Sequence, residues 1–274
     1  MSAALESVAL EMETWSPEDI LAWSTAHFPR VLLATGFGAE GCVLIDMAAR
    51  RRLPVEFFTL DTGLLFPETY DLWRRLESKY AITIRGIRPG LSLEAQAAAY
   101  GDALWLRDPD RCCALRKVEP LARVLRDADA WITAIRRDQT ATRASAKHLE
   151  PDPKHGIWKV NPLLRWTSDD VWAYVRAHDV PVNPLHHAGY PSIGCQPCTT
   201  PVRPGEDPRA GRWRHRQEKN ECGLHVREVG GQLVVVRGQG PEARDQESGP
   251  RGQEPGAGAQ GSEAGATLER QTPA

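Results

Sequence analysis

The sequence predicts an α/β protein: a doubly wound, mostly parallel sheet, then a loop-rich C-terminal segment and a tail that does not fold. Three observations predict it. Apolar runs of strand length alternate with stretches of helical periodicity between residues 31 and 178. A glycine-rich turn follows the first run, and past residue 238 large apolar side chains almost vanish. Alternating strands and helices build parallel sheets covered on both faces, and their ligands bind at the carboxyl ends of the strands.

The elements follow in order. Residues 31–34 read as a buried strand ending in the glycine-rich turn. Residues 39–50 read as a helix with Val43, Leu44 and Met47 on one face. A second strand is expected over 55–60, then a helix over 66–80 with Pro67 near its start. A third strand is expected over 82–87, a helix over 113–126, a fourth strand over 131–135 and a fifth over 158–160. Ser168 or Asp169 is expected to cap a helix running to His178.

Two boundaries divide the chain. Residues 1–180 carry the α/β pattern, whereas 181–237 turn to Pro, Gly, His and Cys without periodicity and read as loops that carry site residues. Residues 238–274 contain no aromatic residue, and Leu268 is the one large aliphatic apart from valine-free Gly, Pro, Ala, Gln and Glu sequence. Such a tail cannot bury enough surface to fold.

Composition narrows the function. The 274 residues are 41% hydrophobic, enough for one substantial core. A net charge of −2 offers no basic field for nucleic acid. Apolar runs fall far short of bilayer length, so no membrane role is expected. The N-terminus lacks the basic region and apolar core of a secretory signal, which predicts a cytoplasmic protein.

In a reducing compartment, six cysteines point to metal or catalysis rather than disulfides. Cys112-Cys113 and Cys195-Gln-Pro-Cys198 form two close pairs, the four thiolates that a tetrahedral zinc or a four-iron cluster requires. Adjacent cysteines diverge, which suits a cubane whose irons take one thiolate each better than a single zinc. A redox-active CxxC beside incidental buried cysteines is the third reading. Cys42 sits in an apolar helical pattern and reads as core. Cys222 stands apart from both pairs. Gly223 leaves its approach open, and Lys219 and His225 bring positive charge near it, while Glu221 opposes them.

Five motifs carry a resemblance. They are Leu-Asp-Thr-Gly-Leu-Leu-Phe-Pro-Glu-Thr-Tyr over 60–70, Cys-Cys-Ala-Leu-Arg-Lys-Val over 112–118 and Arg-Arg-Asp-Gln-Thr over 136–140. Gly-Tyr-Pro-Ser-Ile-Gly-Cys-Gln-Pro-Cys over 189–198 and Glu-Cys-Gly-Leu-His over 221–225 complete the set. From about residue 31 to 225 the chain resembles the assimilatory adenylyl-sulfate reductases, the iron–sulfur branch of the adenylyl-sulfate and phosphoadenylyl-sulfate reductase family. The resemblance implies an adenine-nucleotide fold of the PP-loop type and a four-iron, four-sulfur (4Fe-4S) cluster on Cys112, Cys113, Cys195 and Cys198. It implies thioredoxin or a similar dithiol as donor, and reduction of adenylyl sulfate to sulfite in sulfate assimilation.

Cys222 is then the nucleophile, since a thiolate attacks sulfur well and AMP leaves readily. The resemblance points to Lys117, Arg209, Arg212 and His225 for the phosphosulfate, with Arg143 as a further phosphate or ribose contact. The amides of the loop Thr35, Gly36, Phe37 and Gly38, at a helix start, are expected to receive the α-phosphate. Thr35 stands where relatives often carry serine. Arg214 and Arg216 read as solvated basic residues. Reduction of the 3′-phosphorylated nucleotide is the nearest rival. An RNA-thiolating PP-loop enzyme is more remote, because Thr35–Gly41 lacks its Ser-Gly-Gly-x-Asp-Ser loop.

Overall fold

The computed structural model describes residues 3–216, 219, 221–224, 227–229 and 232–234, the last two stretches by their backbone. His225 and the tail expected from residue 238 lie outside the described residues.

Two helices precede the sheet, α1 (Ala3–Glu11) and α2 (Pro17–His27). Ser16 caps α2 by accepting a hydrogen bond from the Asp19 amide at 3.1 Å, and Pro17 opens it where no N–H is needed. Met12, Ile20 and Leu21 are fully buried. The apolar pattern did not announce α2 because Ser24 occupies a core position. Its hydroxyl satisfies itself on the Ile20 carbonyl at 2.7 Å.

The main chain then alternates as expected. Strand β1 (Val31–Thr35) leads to α3 (Ala39–Arg50), β2 (Glu56–Leu60) to α4 (Pro67–Tyr80), and β3 (Ile84–Ile87) to α5 (Leu93–Tyr100) and α6 (Leu104–Arg107). Next come α7 (Pro109–Cys113), a π-helical turn over Ala114–Val118, and α8 (Glu119–Leu125). Strands β4 (Ala130–Ile132), β5 (Leu149–Asp152) and β6 (Ile157–Val160) precede α9 (Ser168–His178).

Six strands form one sheet in the order β3-β2-β1-β4-β6-β5. All neighbours are parallel except β5, which runs antiparallel to β6. Because strand side chains alternate, each strand feeds both faces. Leu33, Phe57 and Ile132 pack with Cys42, Val43 and Leu44 of α3, while Leu32, Phe58 and Trp131 pack with Leu121 and Leu125 of α8. Cys42 is thus a core residue, as expected.

Several boundaries differ from expectation. The single helix expected over 113–126 is broken by the π turn, since Pro120 has no N–H to continue an α-helical ladder. Thr167, not Ser168 or Asp169, caps α9, and it forms a reciprocal capping box with Asp170. The fourth strand ends at Ile132. Strand β5 escaped the periodicity because it is a polar edge strand containing Glu150, Pro151 and Asp152. A second hairpin, β7 (Arg227–Val229) with β8 (Gln232–Val234), was not expected either.

Beyond α9 the chain forms short 3-10 turns, Pro184–Ala188 and Gln196–Cys198, joined to the rest by isolated bridges at Leu65–Cys195 and Thr199–Arg212. Among the described residues no helix is long and apolar enough to cross a membrane.

Candidate active site

Strand order reverses between β1 and β4, which opens a crevice at their carboxyl ends. A cavity of about 800 Å³ fills it. Thr35, Gly36, Phe37 and Gly38 line one side, and Lys117, Arg143, Arg209, Arg212, Cys195 and Cys222 reach it from other elements.

The loop after β1 is ordered by a threonine. Thr35 Oγ1 accepts a hydrogen bond from the Phe37 amide at 3.0 Å. That amide is therefore already engaged. Phe37 takes a left-handed backbone (φ 60) and buries its ring against Trp73, centroids 5.6 Å apart. Gly38 is the N-cap of α3 and brings no side-chain bond, and the first residues of that helix line the cavity. Gly41 is required beside Thr35, because a Cβ there would lie 2.7 Å from Oγ1.

Cys113 packs with Cys195 and Cys198 in one buried cluster, and Cys112 lies in a neighbouring one. Cys112 and Cys113 end α7, while Cys195 and Cys198 flank a 3-10 turn. All four are buried and free of disulfides. The 60–70 motif docks the CxxC turn: the Gln196 amide donates to Leu64 O at 2.7 Å, and Thr62 Oγ1 lies 3.4 Å from Cys195 Sγ. Arg116 braces the 60–70 motif, donating from Nε to Thr62 O at 2.6 Å and from Nη1 to Gln96 at 2.9 Å. Burial and then the Cys195 charge push up the thiols of Cys112 and Cys198, the latter to about 11. Burial pushes Cys113 to about 12 against the pull of Lys117. Thiolates crowded in this way repel one another unless cations neutralise them. Among the described residues no group of three or more His, Cys, Asp or Glu is placed to hold a metal ion.

Cys222 is half-buried and packs against the buried cluster that Cys113, Cys195, Cys198 and Trp213 form. Lys117 is half-buried and reaches the same cavity as Cys222. Burial works to strip its proton, but the charges of Cys195, Cys222 and Cys113 outweigh burial and raise it. Arg212 stacks on Trp213, with Cζ 4.5 Å from the ring centroid, and donates to Ser192 Oγ at 3.3 Å. Arg143 and Arg209 converge on Glu221, at 3.0 Å and 3.5 Å. Arg214 instead pairs with Glu206 on the surface at 2.8 Å, in keeping with its solvated reading. Lys219 pairs with Asp110.

The phosphoadenosine phosphosulfate reductase domain matches residues 30–201. The chain belongs to this reductase family. It is 46% identical over 227 residues to the adenosine 5′-phosphosulfate reductase of Salinibacter ruber, covering 82% of this chain and 90% of that protein. It is 47% identical over 216 residues to the enzyme of that name from Geobacillus kaustophilus, covering 78% and 92%. The crystal structure of phosphoadenylyl-sulfate reductase from Candida auris, in complex with phosphate, superposes with a TM-score of 0.66 at 32% identity. It covers 73% of this chain and 98% of that one.

Within the reductase fold, the crevice brings together Thr35, Gly36, Phe37, Gly38, Lys117, Arg143, Arg209, Arg212, Cys195 and Cys222. Cys113 and Cys198 pack with Cys195 in a buried cluster and Cys112 in a neighbouring one; Cys112, Cys113 and Cys198 do not line the crevice, and His225 lies outside the described residues. Cys112 and Cys113 end the helix that leads into the Lys117 turn. Four residues escaped notice. Thr62 and Arg116 lay inside quoted motifs, and their polar character at buried positions was the available signal. Trp213, almost fully buried, is the platform under Arg212. Lys154 extends from the β5–β6 turn to 3.5 Å from Gly223 O, beside Cys222, and no local pattern marks it.

Proposed function

We propose that this chain reduces adenylyl sulfate to sulfite and AMP through an S-sulfonated Cys222. The observation that carries the reading is one cavity shared by the Cys222 thiol, the phosphate-binding loop and the cations Lys117, Arg209 and Arg212. A thiol nucleophile and an anion cradle within reach of each other are what transfer from a phosphosulfate needs.

The α-phosphate would rest on the amides at the start of α3, and adenine would lie in the crevice beside β4. Lys117, Arg209 and Arg212 would hold the sulfate oxygens, and His225 is assigned the same task by resemblance. The Cys222 thiolate attacks sulfur; the sulfur–sulfur bond forms as the sulfur–oxygen bond breaks, and AMP leaves with that electron pair. A thiolate of a thioredoxin-like dithiol then attacks Cys222 Sγ. A mixed disulfide forms and sulfite departs with the electrons. The second donor thiol closes the donor disulfide and returns Cys222 to thiolate. Two electrons thus pass from dithiol to sulfur.

Cys112, Cys113, Cys195 and Cys198 would hold a four-iron, four-sulfur cluster. The donor set supports it: four buried soft ligands fall in two pairs, three of them in one cluster, and the neighbouring Cys112 and Cys113 diverge, which suits a cubane whose irons take one thiolate each. When bound, the cluster would partly neutralise its thiolate ligands and order the loops carrying Lys117 and Arg212. The chain is assigned to the cytoplasm. Adenylyl sulfate is favoured over its 3′-phosphorylated form because the chain is more similar to reductases named for the former.

The test is to incubate the anaerobic protein with adenylyl sulfate and no donor. Peptide mapping should find a gain of about 80 Da, one SO3 group, on Cys222, the covalent species expected of nucleophilic catalysis. Thioredoxin should discharge it as sulfite. An adduct on Cys195 or Cys198 would refute this assignment.

A further inference from the structure

Glu221 has no part in the scheme above, yet it is buried beside the nucleophile. Only 9% of it is exposed. Its carboxylate lies between two guanidiniums from separate parts of the chain. Arg143, at the end of the 3-10 turn Ala141–Arg143, donates from Nη2 to Oε2 at 3.2 Å and lies 3.0 Å from Oε1. Arg209, from the turn that precedes Gly211, approaches Oε2 at 3.5 Å. Both arginines line the cavity.

A buried carboxylate is costly unless it is paired, so this arrangement holds Glu221 strongly in place. Cys222 is the next residue and moves with it. The pair of guanidiniums also exceeds the carboxylate by one positive charge, and buried Oε1 accepts no hydrogen bond. The clasp is therefore strong in charge and incomplete in hydrogen bonding, and a second anion can compete for its cations.

We propose that Glu221 is a positioning residue that latches the Cys222 segment over the cavity through Arg143 and Arg209. It competes there with the substrate's anionic groups. The kinetic part rests on the proposed function, whereas the latch itself does not. Two consequences follow from one carboxylate. Removing its charge frees the guanidiniums for substrate, which tightens binding. It also unfastens the nucleophile, which slows attack.

Glu221→Gln tests this, since it preserves shape and removes charge. In the holoprotein, alkylation of Cys222 by iodoacetamide should quicken by about tenfold, as expected when a docked segment opens locally. KM for adenylyl sulfate should fall by about fivefold, the scale of one partly buried charge pair, while kcat falls by at least as much. Glu221→Asp should recover much of the wild-type protection. If Glu221→Gln does not fold, Arg143→Gln should show the same rise in alkylation. A merely structural Glu221 would raise KM or leave it unchanged. That result, or alkylation within twofold of wild type, overturns the latch. Absence of sulfite from wild-type protein would overturn the proposed function instead, and the alkylation arm would still decide the latch.

Discussion

The Arg212 guanidinium occupies the space in which a side chain at Gly194 would begin: a Cβ there would lie 2.3 Å from Nη2. The glycine before the CxxC turn therefore exists for the arginine, which lies stacked between that backbone and Trp213. Gly194→Ala should expel the guanidinium, because a side-chain tip yields before the backbone does. The fold should persist, with the melting temperature within about 5 °C of wild type, a shift of order 1 kcal/mol. KM for adenylyl sulfate should rise by about tenfold, the cost of one charge-assisted contact. Steady-state kinetics beside a thermal melt check both.

The two cysteine pairs and Cys222 should separate cleanly by metal content. Protein purified without oxygen should be brown and hold about four irons per chain. Serine at Cys112, Cys113, Cys195 or Cys198 should weaken or abolish iron retention. Cys222→Ser should keep the iron and still bind AMP, yet form no adduct, because serine without a dedicated base is a poor nucleophile at neutral pH. Fresh protein with stoichiometric zinc and no iron would refute the cluster assignment.

Thr35 orders the loop after β1 through its hydroxyl, so the loop should tolerate Thr35→Ser and not Thr35→Val. Valine leaves the Phe37 amide without its acceptor at a left-handed residue. The expected loss is about 1–2 kcal/mol of unfolding free energy, the cost of an unsatisfied buried donor. AMP affinity should weaken as well. Urea titration and calorimetry with AMP would show it, and equal values for the two variants would contradict the role given to the hydroxyl.

His148 predicts acid sensitivity away from the active site. Burial holds its imidazole below the usual histidine range, against the pull of the Asn161 carbonyl and Glu13. A depressed folded-state pKa means that the unfolded chain binds the proton more readily. Stability from this group is thus full above the unfolded value of about 6.5 and is lost as pH falls below it. His148→Gln should be less stable than wild type at pH 7.5, yet lose less on moving to pH 5.5. Denaturant midpoints at the two pH values measure this, and parallel losses would remove His148 as the cause.

Sequence alone determined the alternation of strands and helices, the glycine-rich loop after β1, the two cysteine pairs and the isolated Cys222. Each is a local signal: a period, a turn residue, a spacing of a few positions. Local signals failed where chain neighbours do not decide the outcome. The π turn before Pro120 and the polar edge strand β5 satisfy the backbone without any apolar period. Only tertiary structure decided which charges meet. Arg143 and Glu221 are separated by 78 positions, and Thr62 and Cys195 by 133. Such pairs exist because the sheet reverses its strand order and folds distant loops into one crevice. Desolvation there makes each buried charge depend on its partner, a dependence that no spacing along the chain records.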